Sequence, residues 1–247
     1  MRTPLVFATS WRRRIATAAT LATLMHGADA TAFDSMRDQE IAECRSGEIS
    51  TWGDGLDRKA LAPSLAFAYD PAGAPSWFAE AEVTALIERA TAAWSQCGVP
   101  AQLVRQLSGP DPKRGLVVVQ WSEAESRGNF GLANFGRATL SLSPAAFQLL
   151  RTRNPAHDGS ETLQMVIAHE MGHLFGLMAH SRRCADVLSY YNNGKGEKCY
   201  TRMGPYVSGL GEFRSTLPTA CDIERCRKTN GMPPLPGGRL KPSAPGN

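Results

Sequence analysis

The chain has no run of eighteen apolar residues, which excludes a helix long enough to span a bilayer. It also has little net charge once its front is set aside. Residues 1–30 carry Arg2, Arg12, Arg13 and Arg14 against Asp29, a net +3 of the total +4, so the rest carries only +1. That balance excludes the basic footprint of a nucleic-acid or acidic-membrane binder. No internal repeat is visible, and none of the six cysteines has zinc-finger spacing. What remains is the composition of an ordinary globular protein, 43% hydrophobic and 20% charged, with 247 residues to form one buried core.

The front reads as an export signal. "SWRRR" is a basic start, "IATAATLATLM" a modest apolar run, and "ADA" ending at Ala30 a small-residue cleavage site. The even cysteine count agrees, since an exported chain uses cysteines for disulfides. Fifteen pairings are possible; Cys184 with Cys199 makes an attractive local loop. The expected location is periplasmic or secreted.

Strand and helix patterns then alternate. "SLAFAYD" places Leu65, Phe67 and Tyr69 on one face of a strand. Val83, Leu86, Ile87, Ala90 and Trp94 recur at helical spacing up to Gly98 and Pro100. "AQLVRQL" and "GLVVVQWSE" are further strands, the second apolar enough for the middle of a sheet. "GNFGLANFG" is glycine-rich and aromatic, and "ATLSLS" alternates as a strand. Asp158 and Glu161 have capping-box spacing before "TLQMVIAHEMGHLFG", a helix apolar on most sides. "CDIERCRK" is a short last helix, and the proline- and glycine-rich end is expected to be disordered. The order implies a mixed sheet with two main helices, an α/β or α+β domain.

Three of the five histidines fall in "HEMGHLFGLMAH". On a helix, His169 and His173 lie about 40° apart around the axis and about 6 Å apart along it, close enough to share one Zn²⁺. Glu170 beside them is free to act as general base on a water whose pKa the metal lowers toward ~7. A continuing helix carries His180 about 10 Å beyond His173, too far for one ion. Gly176 sits where the chain must break and fold back, because glycine ends helices in the left-handed conformation without a side-chain penalty.

"HEMGHLFGLMAHS" resembles the metzincin signature His-Glu-x-x-His-x-x-Gly-x-x-His, and most closely its matrixin branch. "DVLSYY" resembles the Met-turn that follows the third histidine, and "PTACDIERCRK" the closing helix of bacterial matrixin-like domains. The resemblance covers roughly Leu65 to Lys228. It implies a single metzincin-like catalytic domain: a mixed twisted sheet with an edge strand, an active-site helix and a C-terminal helix. The implied division is a signal peptide over 1–30, an extension or short pro-segment over 31–62, the zinc metalloprotease domain over 63–230, and a disordered tail over 231–247. The implied activity is hydrolysis of internal peptide bonds by an exported zinc endopeptidase. One catalytic Zn²⁺ is expected on His169, His173 and His180, with Glu170 as base, a polypeptide as substrate, and a monomeric chain.

This sequence departs from that signature twice. One extra residue separates Gly176 from His180, and Leu188 stands where the Met-turn methionine belongs. Loops absorb an insertion readily, and leucine replaces methionine at similar volume. Three other third ligands compete with His180. His157 precedes the helix, Asp186 resembles the aspartate some metzincins use, and Glu197 has thermolysin-type spacing but lies in a glycine-rich loop. Tyr190 stands where astacin-like and serralysin-like metzincins have a tyrosine, and is expected to donate to the oxyanion. "GNFGLANFG" is expected to pair with an extended substrate. Cys44 is expected in a disulfide, because "AECRSGE" does not match the matrixin pro-segment motif. The alternatives are a zinc-binding, polypeptide-binding domain with weak or lost catalysis, and a structural exported domain without metal.

Overall fold

A computed structural model describes residues 35–105, 109–205 and 212–240; the expected signal peptide lies outside them. The chain separates into two units, 1–39 and 40–247, and the second carries the sheet and its helices.

Its described strands β1 (Leu65–Tyr69), β2 (Ala101–Leu103), β3 (Leu116–Trp121), β4 (Gly131–Asn134) and β5 (Thr139–Leu142) form a mixed sheet in the order β2-β1-β3-β5-β4. The β2–β1, β1–β3 and β3–β5 pairs are parallel. Only β4 runs antiparallel, against β5, and it forms one edge. The apolar run Val117, Val118 and Val119 is buried at the centre, as its lack of alternation implies.

Alternate strand residues build the core: Leu65 and Phe67 from β1, Val117, Val119 and Trp121 from β3, Leu140 and Leu142 from β5. Against them pack α1 (Glu80–Trp94) and α4 (Gly159–Leu174). All five α1 positions with helical spacing are in this core, which is why that helix lies where it does. Trp94 also donates its indole N–H to Ala168 O on α4 over 2.8 Å, satisfying its one polar atom while buried.

Two short helices lie between these elements: α2 (Glu123–Ser126) and α3 (Pro144–Arg153). The α3 helix is absent from the sequence pattern, since Phe147 is its one buried residue and no apolar stripe marks it. Its start signals are nevertheless present: Ser143 accepts from Ala146 N and Pro144 occupies the first turn. Beyond α4, two-residue strands β6 (Tyr200–Thr201) and β7 (Gly204–Pro205) pair antiparallel. The expected last helix is α5 (Ala220–Thr229), with Thr219 and Asp222 forming a capping box.

Disulfides join Cys44 to Cys221, Cys97 to Cys226, and Cys184 to Cys199. They suggest an extracellular or periplasmic protein. Cys44 is thus no free thiol, and its bridge fastens the N-terminal segment to α5.

The expected disorder of the tail needs correction. Of that tail, residues 231–240 are mostly exposed but are tied to the domain. Leu235 is buried in the core and its N–H donates to Glu224 Oε2 over 2.7 Å. Cys44 N donates to Gly238 O, and Leu240 N to Ala42 O. One apolar anchor and a bridge-like pairing outweigh a composition that points to disorder. Among the described residues, no helix is long and apolar enough to cross a membrane.

Candidate metal centre

The α4 helix is capped by Asp158, whose carboxylate accepts from Ser160 N; Glu161 does not complete the expected capping box. At its other end the chain turns as expected. Gly176 has φ +100°, Gly176 N donates to His173 O, and Leu177 N to Gly172 O, the paired bonds of a Schellman motif. No other residue fits there: a Cβ on Gly176 would lie 1.9 Å from Arg58 O.

The turn brings His180 back to the helix. The three imidazole centroids are 5.1 to 5.2 Å apart, and one ring nitrogen from each lies within 4.8 Å of the others. Each Nδ1 has an acceptor: Val187 O at 2.8 Å for His169, Leu177 O at 2.7 Å for His173, and Asp54 Oδ2 at 2.7 Å for His180. A carbonyl only accepts, so His169 and His173 must carry their protons on Nδ1, leaving the Nε2 lone pairs free. Asp54 as a carboxylate imposes the same tautomer on His180.

These residues fit a divalent cation such as zinc. His180 Nε2 is buried and has no hydrogen-bond partner, an uncompensated cost that a ligated ion removes. Burial, then the neighbouring His173 and His180, holds His169 well below the usual histidine range; burial, then His173, lowers His180 despite Asp54. Neutral imidazoles are what a metal requires. The other clustered donors, Cys44, Glu48 and Cys221, include two bridged cysteines with no thiolate to offer.

Glu170 is buried beside this trio and accepts from Ala133 N on β4 over 2.8 Å. Burial raises its carboxyl above the usual range, opposed by His173 and by the Ala133 N–H. Tyr190 stacks on His180, centroids 3.8 Å apart and planes 17° apart, with 43% of its surface exposed. Leu188 is fully buried beneath α4, its methyls 3.0 and 3.1 Å from where a Cβ on Gly172 would project.

The remaining candidates lie elsewhere. His157 bonds Thr162 Oγ1 at 2.6 Å on the wall of the adjoining cleft. Asp186 is buried against Arg183, Ser181 and Thr219. Glu197 is exposed and pairs with Asn193. The cleft holds about 550 Å³ and runs past His169, His173, His180 and Glu170 between β4 and the segment from Glu212 to Thr216.

Sequence reasoning missed Asp54, Asp57, Glu212 and Arg214. The two aspartates flank Gly55 and Leu56 in "DGLD", with no local pattern tying Asp54 to His180, 126 residues away, or Asp57 to the loop before it.

No protein-family model matches the chain, and no curated protein sequence matches it. Among solved structures, a chain of the GM1-bound form of the ECX AB5 holotoxin aligns at 12% identity and TM-score 0.40. That alignment covers 68% of this chain and 80% of the other. A zinc-dependent peptidase from Methanocorpusculum labreanum (strain Z) aligns at 15% identity and TM-score 0.36, covering 68% of this chain and all of the other. Likenesses this distant carry no functional argument; the site itself must.

Proposed function

We propose that the protein is an exported zinc endopeptidase of matrixin-like metzincin type, acting on internal bonds of a polypeptide in the cleft beside α4. One observation carries this reading: one buried and two half-buried imidazoles converge with their Nδ1 atoms all engaged, and a buried glutamate stands beside them at an open cleft. A structural domain has no use for that arrangement, because burying such groups without a partner costs stability.

His169, His173 and His180 would hold the ion. When bound, zinc supplies Lewis acidity, which lowers the pKa of a ligated water and polarises a carbonyl. Glu170 takes the proton from the attacking water and passes it to the leaving amine. Burial raises its carboxyl above the usual range, which suits a group that must both accept and return a proton. The Ala133 N–H fixes the carboxylate while it does so. An extended substrate pairs with β4, whose outer edge borders the cleft, and Phe130, Leu150, Met165 and Val166 offer apolar contacts to its side chains. Tyr190 donates its phenol to the oxyanion of the tetrahedral intermediate.

The test is zinc content and casein digestion by the full-length chain and its Glu170→Gln variant. The expected result is about one zinc per chain in both, with cleavage reduced by ~10²–10⁴ in the variant. Zinc without cleavage in the parent favours a polypeptide-binding domain, and an unchanged rate in Glu170→Gln removes the base assignment.

A further inference from the structure

We infer that Asp54 is a positioning residue of the metal centre, fixing the tautomer and direction of His180 so that its Nε2 faces the ion. The inference rests on the zinc reading above.

The extra residue between Gly176 and His180 lengthens the loop that carries the third ligand. A longer loop costs more entropy to hold in one conformation, so a ligand at its end needs support from elsewhere. The segment from Trp52 to Leu61 supplies it. Leu61 N donates to Leu174 O, Arg58 N to Gly176 O, and Trp52 N to His180 O, each over 2.9 Å. Asp57 Oδ1 accepts from Met178 N at 2.9 Å and Ala179 N at 3.2 Å. Arg225 on α5 holds Asp57 in turn, and donates also to Ala179 O. Asp54 finishes the series, with Oδ1 on His180 N at 2.9 Å and Oδ2 on His180 Nδ1 at 2.7 Å.

Two kinds of work are thereby separated. Asp57 holds the backbone of the loop, whereas Asp54 alone also reaches a ligand's ring. His169 and His173 receive backbone carbonyls at Nδ1, which helix and turn geometry supply without help. His180 has a carboxylate from a distant segment instead. A carboxylate behind a ligand both orients the ring and raises its basicity, and losing such a partner typically costs 10–100-fold in metal affinity. Residues 52–61 are on this account a permanent part of the site rather than a detachable pro-segment.

The experiment compares zinc affinity, by chelator competition, and metal-free melting temperature for the full-length parent and its Asp54→Asn, Asp54→Ala, Asp57→Asn and His180→Ala variants. Asparagine at position 54 keeps one oxygen for the His180 N–H but turns an amide N–H toward Nδ1, favouring the tautomer whose Nε2 is protonated. The expected result is a ~10–100-fold loss of zinc affinity in both Asp54 variants. Asp54→Asn should also melt close to the parent. Asp57→Asn is expected to do the opposite, melting lower while losing less affinity. Zinc binding in Asp54→Asn within about twofold of the parent, with His180→Ala losing zinc, overturns the role of Asp54 and leaves the metal centre standing. Undiminished zinc in His180→Ala overturns both.

Discussion

Ala133 on the edge strand donates its backbone N–H to Glu170 Oε2 over 2.8 Å, so the strand proposed to hold substrate also holds the proposed base. Two residues earlier the strand comes closer still. A Cβ on Gly131 would lie 2.6 Å from Val166 Cγ1 and 2.9 Å from Glu170 Cγ. Gly131→Ala must therefore displace Val166, the glutamate or the strand. A misplacement of about 1 Å costs on the order of 100-fold in rate, and kcat of this variant is expected to fall by ~10–100-fold with zinc retained. Parent-like kinetics would show that Glu170 need not be held where it is.

Tyr190 covers His180 through its ring, whereas any help to the oxyanion must come from its hydroxyl. Tyr190→Phe keeps the stack and removes only the hydroxyl. Zinc affinity should hold while kcat falls ~10-fold or more and KM stays, the sign of an interaction made in the transition state. Tyr190→Ala should weaken zinc binding as well. A fully active Tyr190→Phe makes the residue a packing group.

Gly176 allows α4 to end at Leu174, one residue beyond His173. Any side chain there pays for the left-handed conformation and meets Arg58 O. Gly176→Ala should destabilise the metal-free protein by about 2–5 kcal/mol, from the conformational penalty plus overpacking. Chemical denaturation measures this, and a loss below 1 kcal/mol, as about the smallest effect such overpacking gives, would mean the loop moves aside freely.

Leu188→Met tests whether the turn beneath α4 needs sulfur. The two side chains have similar volume, and such swaps usually cost under ~1.5 kcal/mol. Zinc affinity and kcat/KM should be nearly those of the parent. A tenfold change in either would assign chemistry to this position beyond packing.

The Asp222 carboxyl is pushed up to about 7, first by burial and then by the neighbouring Asp186 carboxyl, against the N–H groups of Thr219 and Val187. Its Oδ1 is buried without a partner. In the unfolded chain an aspartate titrates near about 3.9. Between these values the folded protein holds the extra proton, so stability falls as pH rises. The contribution is complete below about pH 4 and lost as pH passes about 7. Asp222→Asn should flatten the decline in melting temperature of the metal-free protein between about pH 4 and about pH 7, the range set by the unfolded and folded values. An unchanged slope would place the effect on other groups.

Much of the frame was legible in the residues because its signals are local. Alternation marked β1 and β5, a continuous apolar run marked β3, and helical spacing marked α1 from Val83 to Trp94. The four-residue interval put His169 and His173 on one face of α4, and glycine at 176 foretold the turn that returns His180. The α3 helix escaped because it buries little and so carries no stripe, despite its Ser143 and Pro144 start.

Everything that required two distant segments to meet was decided by the tertiary structure. Six cysteines allow fifteen pairings, and only packing selects Cys44 with Cys221 and Cys97 with Cys226. Leu235 in the core overrules the composition of residues 231–240. The sequence of "HEMGHLFGLMAH" by itself determines that two imidazoles share a helix face and that the chain must turn, because backbone periodicity and glycine conformation are properties of neighbours. Which groups hold those imidazoles, and that Asp54 reaches back to His180, depends on contacts across 126 positions that no local pattern encodes.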